Sequence, residues 1–148
     1  MNEKFMERAI ALAKMAGERG EIPVGAVVVK NGKIIGEGVN SREELKSPIG
    51  HAEISALTAA AKTLGDWRLD GCSLYVTLEP CPMCAGAIIN ARIKEVVFGA
   101  FDKRAGSASP ESVVNLFSLG YDHKVEVFGG IREEECASLL SDFFSSRR

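Results

Sequence analysis

The chain has 148 residues, 46% of them hydrophobic and 26% charged, with a formal net charge of −2. That length and balance fit a single globular domain over 1–148, with a core large enough to fold without disulfide staples. The slightly acidic charge excludes a uniformly basic nucleic-acid binder. A nucleic-acid surface would have to be a local patch built from Lys103-Arg104, Lys124 or Arg147-Arg148, away from the acidic runs Glu43-Glu44 and Glu133-Glu134-Glu135. The same basic residues also suit solvated loops and a charged tail.

In chain order, Phe5, Ala9, Leu12, Ala13 and Ala16 recur at helical spacing behind an Asn2 cap, with Gly17 and Gly20 at the exit. Val24 to Val29 is a short continuous apolar run, which predicts a strand covered on both faces. Asn31-Gly32 then predicts a tight hairpin into Lys33-Ile34-Ile35-Gly36. Val39 to Gly50 reads as a loop. A helix is expected from about His51, with Ile54, Leu57, Ala61 and Leu64 on one face. Ser73 to Leu78 is a strand, Pro82 opens a helix through Ala85, Ile88 and Ile89, and Glu95 to Phe98 is a further strand. Ser109-Pro110-Glu111 has the form of a helix start ahead of Val113-Val114 and Leu116-Phe117. Lys124 to Phe128 alternates as a last strand, and Cys136, Leu139, Leu140, Phe143 and Phe144 mark a closing amphipathic helix. A hairpin followed by alternating helices and strands predicts an α/β protein, a mixed sheet with helices on both faces.

The four cysteines do not amount to a disulfide framework, and Cys72 and Cys136 read as small buried hydrophobes. Met1 to Arg8 carries charges of both signs with no apolar signal core, and no apolar run approaches transmembrane length. The expected compartment is the cytoplasm, with no membrane partner, where thiols stay reduced.

The chemistry concentrates in two motifs, His51-Ala52-Glu53 and Pro80-Cys81-Pro82-Met83-Cys84. One histidine and two cysteines hold a zinc ion with its fourth position open to water, whose pKa falls toward neutrality on the metal. Glu53, not a ligand, can then carry protons. Cys81 and Cys84 alone would also suit a redox pair, and a closed structural zinc site could recruit His123, Cys72 or Cys136; neither alternative uses the H-x-E segment. Both motifs fall at predicted helix N-termini, where backbone N–H groups favour thiolates. Residues three apart share a helix face, so Cys81 and Cys84 can grip one ion.

H-x-E followed by P-C-x-x-C is the signature of zinc nucleobase deaminases, which the chain therefore resembles. The run Leu74-Tyr75-Val76-Thr77-Leu78-Glu79-Pro80-Cys81-Pro82-Met83-Cys84-Ala85-Gly86-Ala87-Ile88 is similar to the bacterial tRNA-specific adenosine deaminase family. So are Pro23 to Val27, Arg92-Ile93 ahead of Val96 to Ala100, and Glu135-Cys136 with Leu139 to Phe144. The resemblance implies a three-layer α/β/α cytidine-deaminase-like fold with a mixed five-stranded sheet. It further implies a homodimer with one Zn2+ per subunit that converts adenosine to inosine at the wobble position, in the tRNA anticodon stem-loop. Carried over by position, His51, Cys81 and Cys84 match the zinc ligands and Glu53 the proton shuttle. Asn40 matches a base-contacting asparagine, and Asp102, with Lys103 and Arg104 beside it, lies in the loop that borders RNA. Outside the resemblance, Asn40 also suits a simple turn residue.

The chain departs from the family pattern at Ser107-Ala108-Ser109-Pro110-Glu111-Ser112, one residue longer than usual, and at Asp122-His123 in place of an Asn-His pair. Trp67 reads as a core or interface residue rather than a base-stacking one. Two rivals remain open from the residues: a free-base or nucleotide deaminase of guanine or cytosine type on the same fold, and a zinc-stabilised RNA-binding protein without turnover. Glu53 counts against the second, which needs no carboxylate beside the metal.

Overall fold

The computed structural model describes residues 2–147. Helix α1 (Glu3–Glu18) opens on Asn2, whose side-chain oxygen accepts from the Lys4 N–H at 3.0 Å. A cap of this kind stabilises a helix end by about 1 kcal/mol. Strands β1 (Gly25–Lys30) and β2 (Lys33–Val39) form the expected hairpin. Asn31 and Gly32 both sit at positive φ, 51° and 75°, the conformation that a two-residue turn between twisted strands requires. Beyond helix α2 (Arg42–Leu45) come helix α3 (Ala52–Leu64), strand β3 (Ser73–Leu78), helix α4 (Pro82–Asn90) and strand β4 (Glu95–Ala100). Strand β5 (Glu126–Phe128) and helix α5 (Glu133–Ser145) follow.

The sheet order is β2-β1-β3-β4-β5. β1 runs antiparallel to β2 and β3, whereas β3, β4 and β5 are parallel. Successive strand residues point to opposite faces, and both faces are covered. Ala26, Val28, Leu74, Val76, Val96 and Phe98 pack with Ala56, Ala60 and Ile88 beneath α3 and α4. Val27, Val29, Tyr75 and Val97 pack with Phe5, Met6, Ala9 and Cys136 beneath α1 and α5. Each large apolar side chain taken fully out of water contributes about 1.5–3 kcal/mol. The result is the expected three-layer α/β/α arrangement. Cys72 and Cys136 are buried, as their sequence context suggested.

Helix α3 lies unusually close to β2. A Cβ at Gly38 would overlap the Ala52 carbonyl, and one at Gly36 would sit 2.5 Å from the Ala56 carbonyl oxygen. This contact also corrects the expected buried face of α3. The glycine strand admits Ala52, Ala56 and Ala60 together with Glu53 and Leu57, while Ile54, Ala61 and Leu64 are only partly buried.

Other expectations change where distant groups outrank local preference. The segment after Val39 is not all loop, because the buried Glu21 carboxylate accepts from the Glu43 and Glu44 N–H groups (3.1 and 2.8 Å) and organises α2. The helix expected after Ser109 does not form, and only a 3-10 turn at Leu116–Ser118 appears. Ser109 turns back onto Ser112, while Ser107, Ala108 and Ser112 donate to Pro80 and Glu79. The last strand is shorter than expected, and only Cys136 of α5 is fully buried. Trp67 is not a core residue: it is 52% exposed, with the guanidinium groups of Arg68 and Arg92 over its ring at 4.6 and 5.7 Å. No helix among the described residues is long and apolar enough to cross a membrane.

Candidate active site

The C-terminal ends of β2, β3 and β4 point the same way, and the loops leaving them converge with the N-termini of α3 and α4. In open α/β sheets the crevice beyond the strand C-termini is where ligands bind. Here β2 leads to Asn40, β3 to Glu79-Pro80-Cys81, and β4 to Phe101-Asp102-Lys103-Arg104. His51 and Cys81 are the N-cap residues of α3 and α4, with extended backbones that let their side chains lean across the helix ends. Pro82 occupies the first turn of α4, where its missing N–H costs nothing.

His51 Nδ1 lies 3.6 Å from Cys81 Sγ and 3.5 Å from Cys84 Sγ, and the three ligand atoms all fall within 4.8 Å of one another. A tetrahedral zinc with bonds of about 2.3 Å to sulfur and 2.0–2.1 Å to nitrogen separates those atom types by about 3.5 Å. The donor set and spacing therefore fit zinc. Among the described residues no fourth ligand joins the cluster. His123 pairs instead with the Ile93 carbonyl at 2.7 Å. His123, Cys72 and Cys136, the other candidates for a closed site, thus lie outside the cluster.

The electrostatics suit a cation. Cys84 donates a hydrogen bond to Cys81 and His51 lies beside it, so the Cys81 thiol is pulled down to about 4. The same hydrogen bond and burial raise Cys84. His51 is raised by its hydrogen bond to Cys81. A divalent ion would satisfy both sulfurs as thiolates. Glu53 is 4% exposed, and burial pushes its carboxyl up to about 7. It sits beside Cys84 but outside the ligand trio.

Above this floor opens a cleft of about 420 Å3, lined by Asn40, His51, Glu53, Cys81, Asp102, Lys103 and Arg104 among others. Cys84 lies fully buried beneath it. All eight residues singled out in the sequence thus meet at one place. Asn40 is held by its side-chain N–H to the Ile22 carbonyl at 3.2 Å, and among the described residues its buried Oδ1 has no hydrogen-bond partner. Asp102 uses one carboxylate oxygen to accept from the Arg104 and Ala105 N–H groups (3.0 and 3.1 Å), which shapes the loop.

Sequence reasoning missed Arg42, Phe101, Leu140 and Phe144 on the cleft wall. Arg42 falls in a segment whose sequence has the marks of a plain loop, and Leu140 and Phe144 have only those of an apolar helix face. Phe101, immediately before Asp102, was the one accessible signal. Lys124 and Arg147 do not line the cleft, and Arg147 stacks over Phe143 at 4.1 Å. Arg148 lies outside the described residues.

Comparison with known proteins agrees with this geometry. The family described as cytidine and deoxycytidylate deaminase zinc-binding region matches residues 1–100. The chain is 49% identical over 148 residues to a tRNA-specific adenosine deaminase of Bacillus subtilis, covering 99% of this chain and 91% of the relative. A solved tRNA:A34 deaminase, from work on A-to-I editing at the wobble position, superposes with a TM-score of 0.90 at 44% identity, covering 94% of this chain and all of that one. A guanine deaminase structure from Bacillus subtilis is 48% identical but covers only 68% of this chain and 66% of its own, with a TM-score of 0.65. A zinc-ligand trio below an open cleft, on a fold shared nearly end to end with these relatives, places the chain in the cytidine and deoxycytidylate deaminase family, among the tRNA-specific adenosine deaminases.

Proposed function

We propose that the chain hydrolyses adenosine to inosine at the wobble position of tRNA, releasing ammonia, with one zinc per subunit. The observation that carries this reading is the buried Glu53 carboxyl beside a His51–Cys81–Cys84 trio, on the floor of a cleft rimmed by Arg42, Lys103 and Arg104.

When bound, zinc supplies Lewis-acid activation of a water molecule at its open coordination position. His51, Cys81 and Cys84 would hold the ion, and the helix ends behind them favour the thiolate form. Glu53 would take a proton from the attacking water on a carboxylate oxygen and deliver it to the ring nitrogen next to the reacting carbon. Glu53 would then take the remaining proton from the oxygen now on that carbon and pass it to the departing amino group, which leaves as ammonia while the ring keeps the oxygen as a carbonyl. Burial suits Glu53 to this work, because a carboxyl raised toward neutrality both accepts and returns a proton. Asn40, anchored through Ile22, offers its free Oδ1 to a donor on the base or ribose. Phe101 and Phe144 give flat apolar surface for flanking bases, and Lys103 and Arg104 give positive charge for phosphates, while Asp102 sets their loop.

The guanine-deaminase likeness is the observation on the side of a free-base rival. Incubating purified protein with an anticodon stem-loop carrying wobble adenosine, and separately with guanine, cytosine and adenine, distinguishes the two. Inosine in the stem-loop is the expected product. Efficient ammonia release from a free base, with the stem-loop unchanged, overturns the proposal.

The proposal includes a homodimer working in the cytoplasm. Val113, Leu119 and Trp67 stand exposed in the isolated chain and are available to a second copy. Light scattering at micromolar concentration should return twice the chain mass.

A further inference from the structure

Glu79 is a buried carboxylate that the chemistry above does not use. It is 3% exposed and, among the described residues, no Lys or Arg forms an ion pair with it. Three donors satisfy it instead, all from the loop after β4. The Asp102 N–H donates to Oε1 at 2.9 Å, the Ala108 N–H donates to Oε2 at 2.9 Å, and the Ser112 hydroxyl also donates to Oε2. Next to it, the Ser107 N–H and hydroxyl both donate to the Pro80 carbonyl, at 3.0 and 2.8 Å. Gly106 lies flat against the carboxylate, where any Cβ would overlap the Glu79 carboxyl group. The loop that presents Lys103 and Arg104 to the cleft is therefore wrapped around one side chain, and that side chain stands two residues before Cys81.

A carboxylate only accepts, and burying it is costly unless donors converge on it. Such a group forces the loop into the one arrangement that brings Asp102, Ala108 and Ser112 to it together. The backbone of Glu79 is fixed in turn, since its N–H donates to the Ala100 carbonyl at 2.8 Å. The 107–112 stretch is also where the chain departs from the family pattern, and its Ser112 hydroxyl supplies the third donor.

We propose that Glu79 is a positioning residue for substrate, tying the Lys103-Arg104 loop to the strand end that carries the metal ligand Cys81. The inference rests on the tRNA reading of the cleft. Glutamine at 79 would present one acceptor oxygen and one NH2 donor, so its NH2 would face either the Asp102 N–H or the Ala108 N–H and Ser112 hydroxyl together.

The test uses the full-length zinc-loaded protein and Glu79→Gln. The stem-loop KM should rise about tenfold or more, as expected for losing a hydrogen bond to a charged group, while kcat stays within about threefold and zinc remains at one per chain. Amide hydrogen exchange should accelerate at Asp102 and Ala108 but not at Val76 or Val97 in the sheet. Glu79→Asp keeps both acceptor oxygens and should recover part of the KM. Unchanged KM and exchange would overturn the proposal. So would exchange accelerated throughout β3 and β4, which marks a general structural role, or loss of zinc or kcat with KM intact, which marks an effect on Cys81. If Glu79→Gln does not fold, Ser112→Ala removes one donor and should shift KM and the Ala108 exchange the same way; no shift overturns the proposal. If the wild type leaves the stem-loop unedited, the tRNA reading fails, and the exchange arm still decides whether Glu79 holds the loop.

Discussion

His51 Nδ1 lies 3.5 Å from Cys84 Sγ across 33 residues of chain, because helices α3 and α4 start side by side at the same end of the sheet. With Cys84 fully buried and Glu53 beside it, ligand and proton carrier can be separated by mutation. Cys84→Ala is expected to lose the metal, measured as zinc per chain. Glu53→Ala is expected to keep zinc and lose turnover by about 10²–10⁴-fold, the range of a general acid–base group. Stoichiometric zinc in the first variant, or activity within a few-fold of wild type in the second, contradicts these roles.

Thiol accessibility should report the metal directly. Cys72 and Cys136 are buried, and burial raises both thiols, Cys136 to about 11, so neither should react with an alkylating reagent in the folded protein. Cys81, half-buried at the mouth of the site, should be protected by zinc and become the first to react after chelation. Mass spectrometry of the labelled peptides checks the order. Labelling of Cys72 or Cys136 ahead of Cys81 would count against it.

Lys103 and Arg104 lie on the cleft wall in a chain of net charge −2. Reversing both, as K103E/R104E, should raise the stem-loop KM and flatten the salt dependence of binding, because fewer counterions are released when fewer phosphates are neutralised. Zinc content should not change. Binding measured at several salt concentrations settles it, and a wild-type slope in the double variant would place the RNA surface elsewhere.

Gly38 tests the packing that sets the site. Its Cβ-free backbone lets α3 approach until an added methyl would strike the Ala52 carbonyl, one residue after His51. Gly38→Ala should destabilise the fold by about 1–3 kcal/mol, the usual cost of overpacking, and lower Tm in a circular dichroism melt. An unchanged Tm would mean that the helix can slide away without loss.

Much of the architecture is written in short-range signals. Asn2 capping α1, Asn31-Gly32 closing the hairpin, and Pro82 opening α4 each act within a turn of chain, so spacing alone reveals them. The ligand trio is equally legible: cysteines three apart at a helix start share a face, and H-x-E names their partner. What composition and spacing leave undecided is which loops these elements bring to the cleft. Ser109-Pro110 has every local mark of a helix start, yet the donors around it turn to Glu79 and Pro80, whose unpaired acceptors would be costly to bury. Likewise Phe101, Phe144 and Arg42 reach the cleft wall only because strand order and helix packing carry three distant segments to one end of the sheet. Local propensity is worth tenths of a kcal/mol per residue, whereas an unsatisfied buried carboxylate or carbonyl costs about 1–3 kcal/mol or more, so tertiary contacts decide wherever the two disagree.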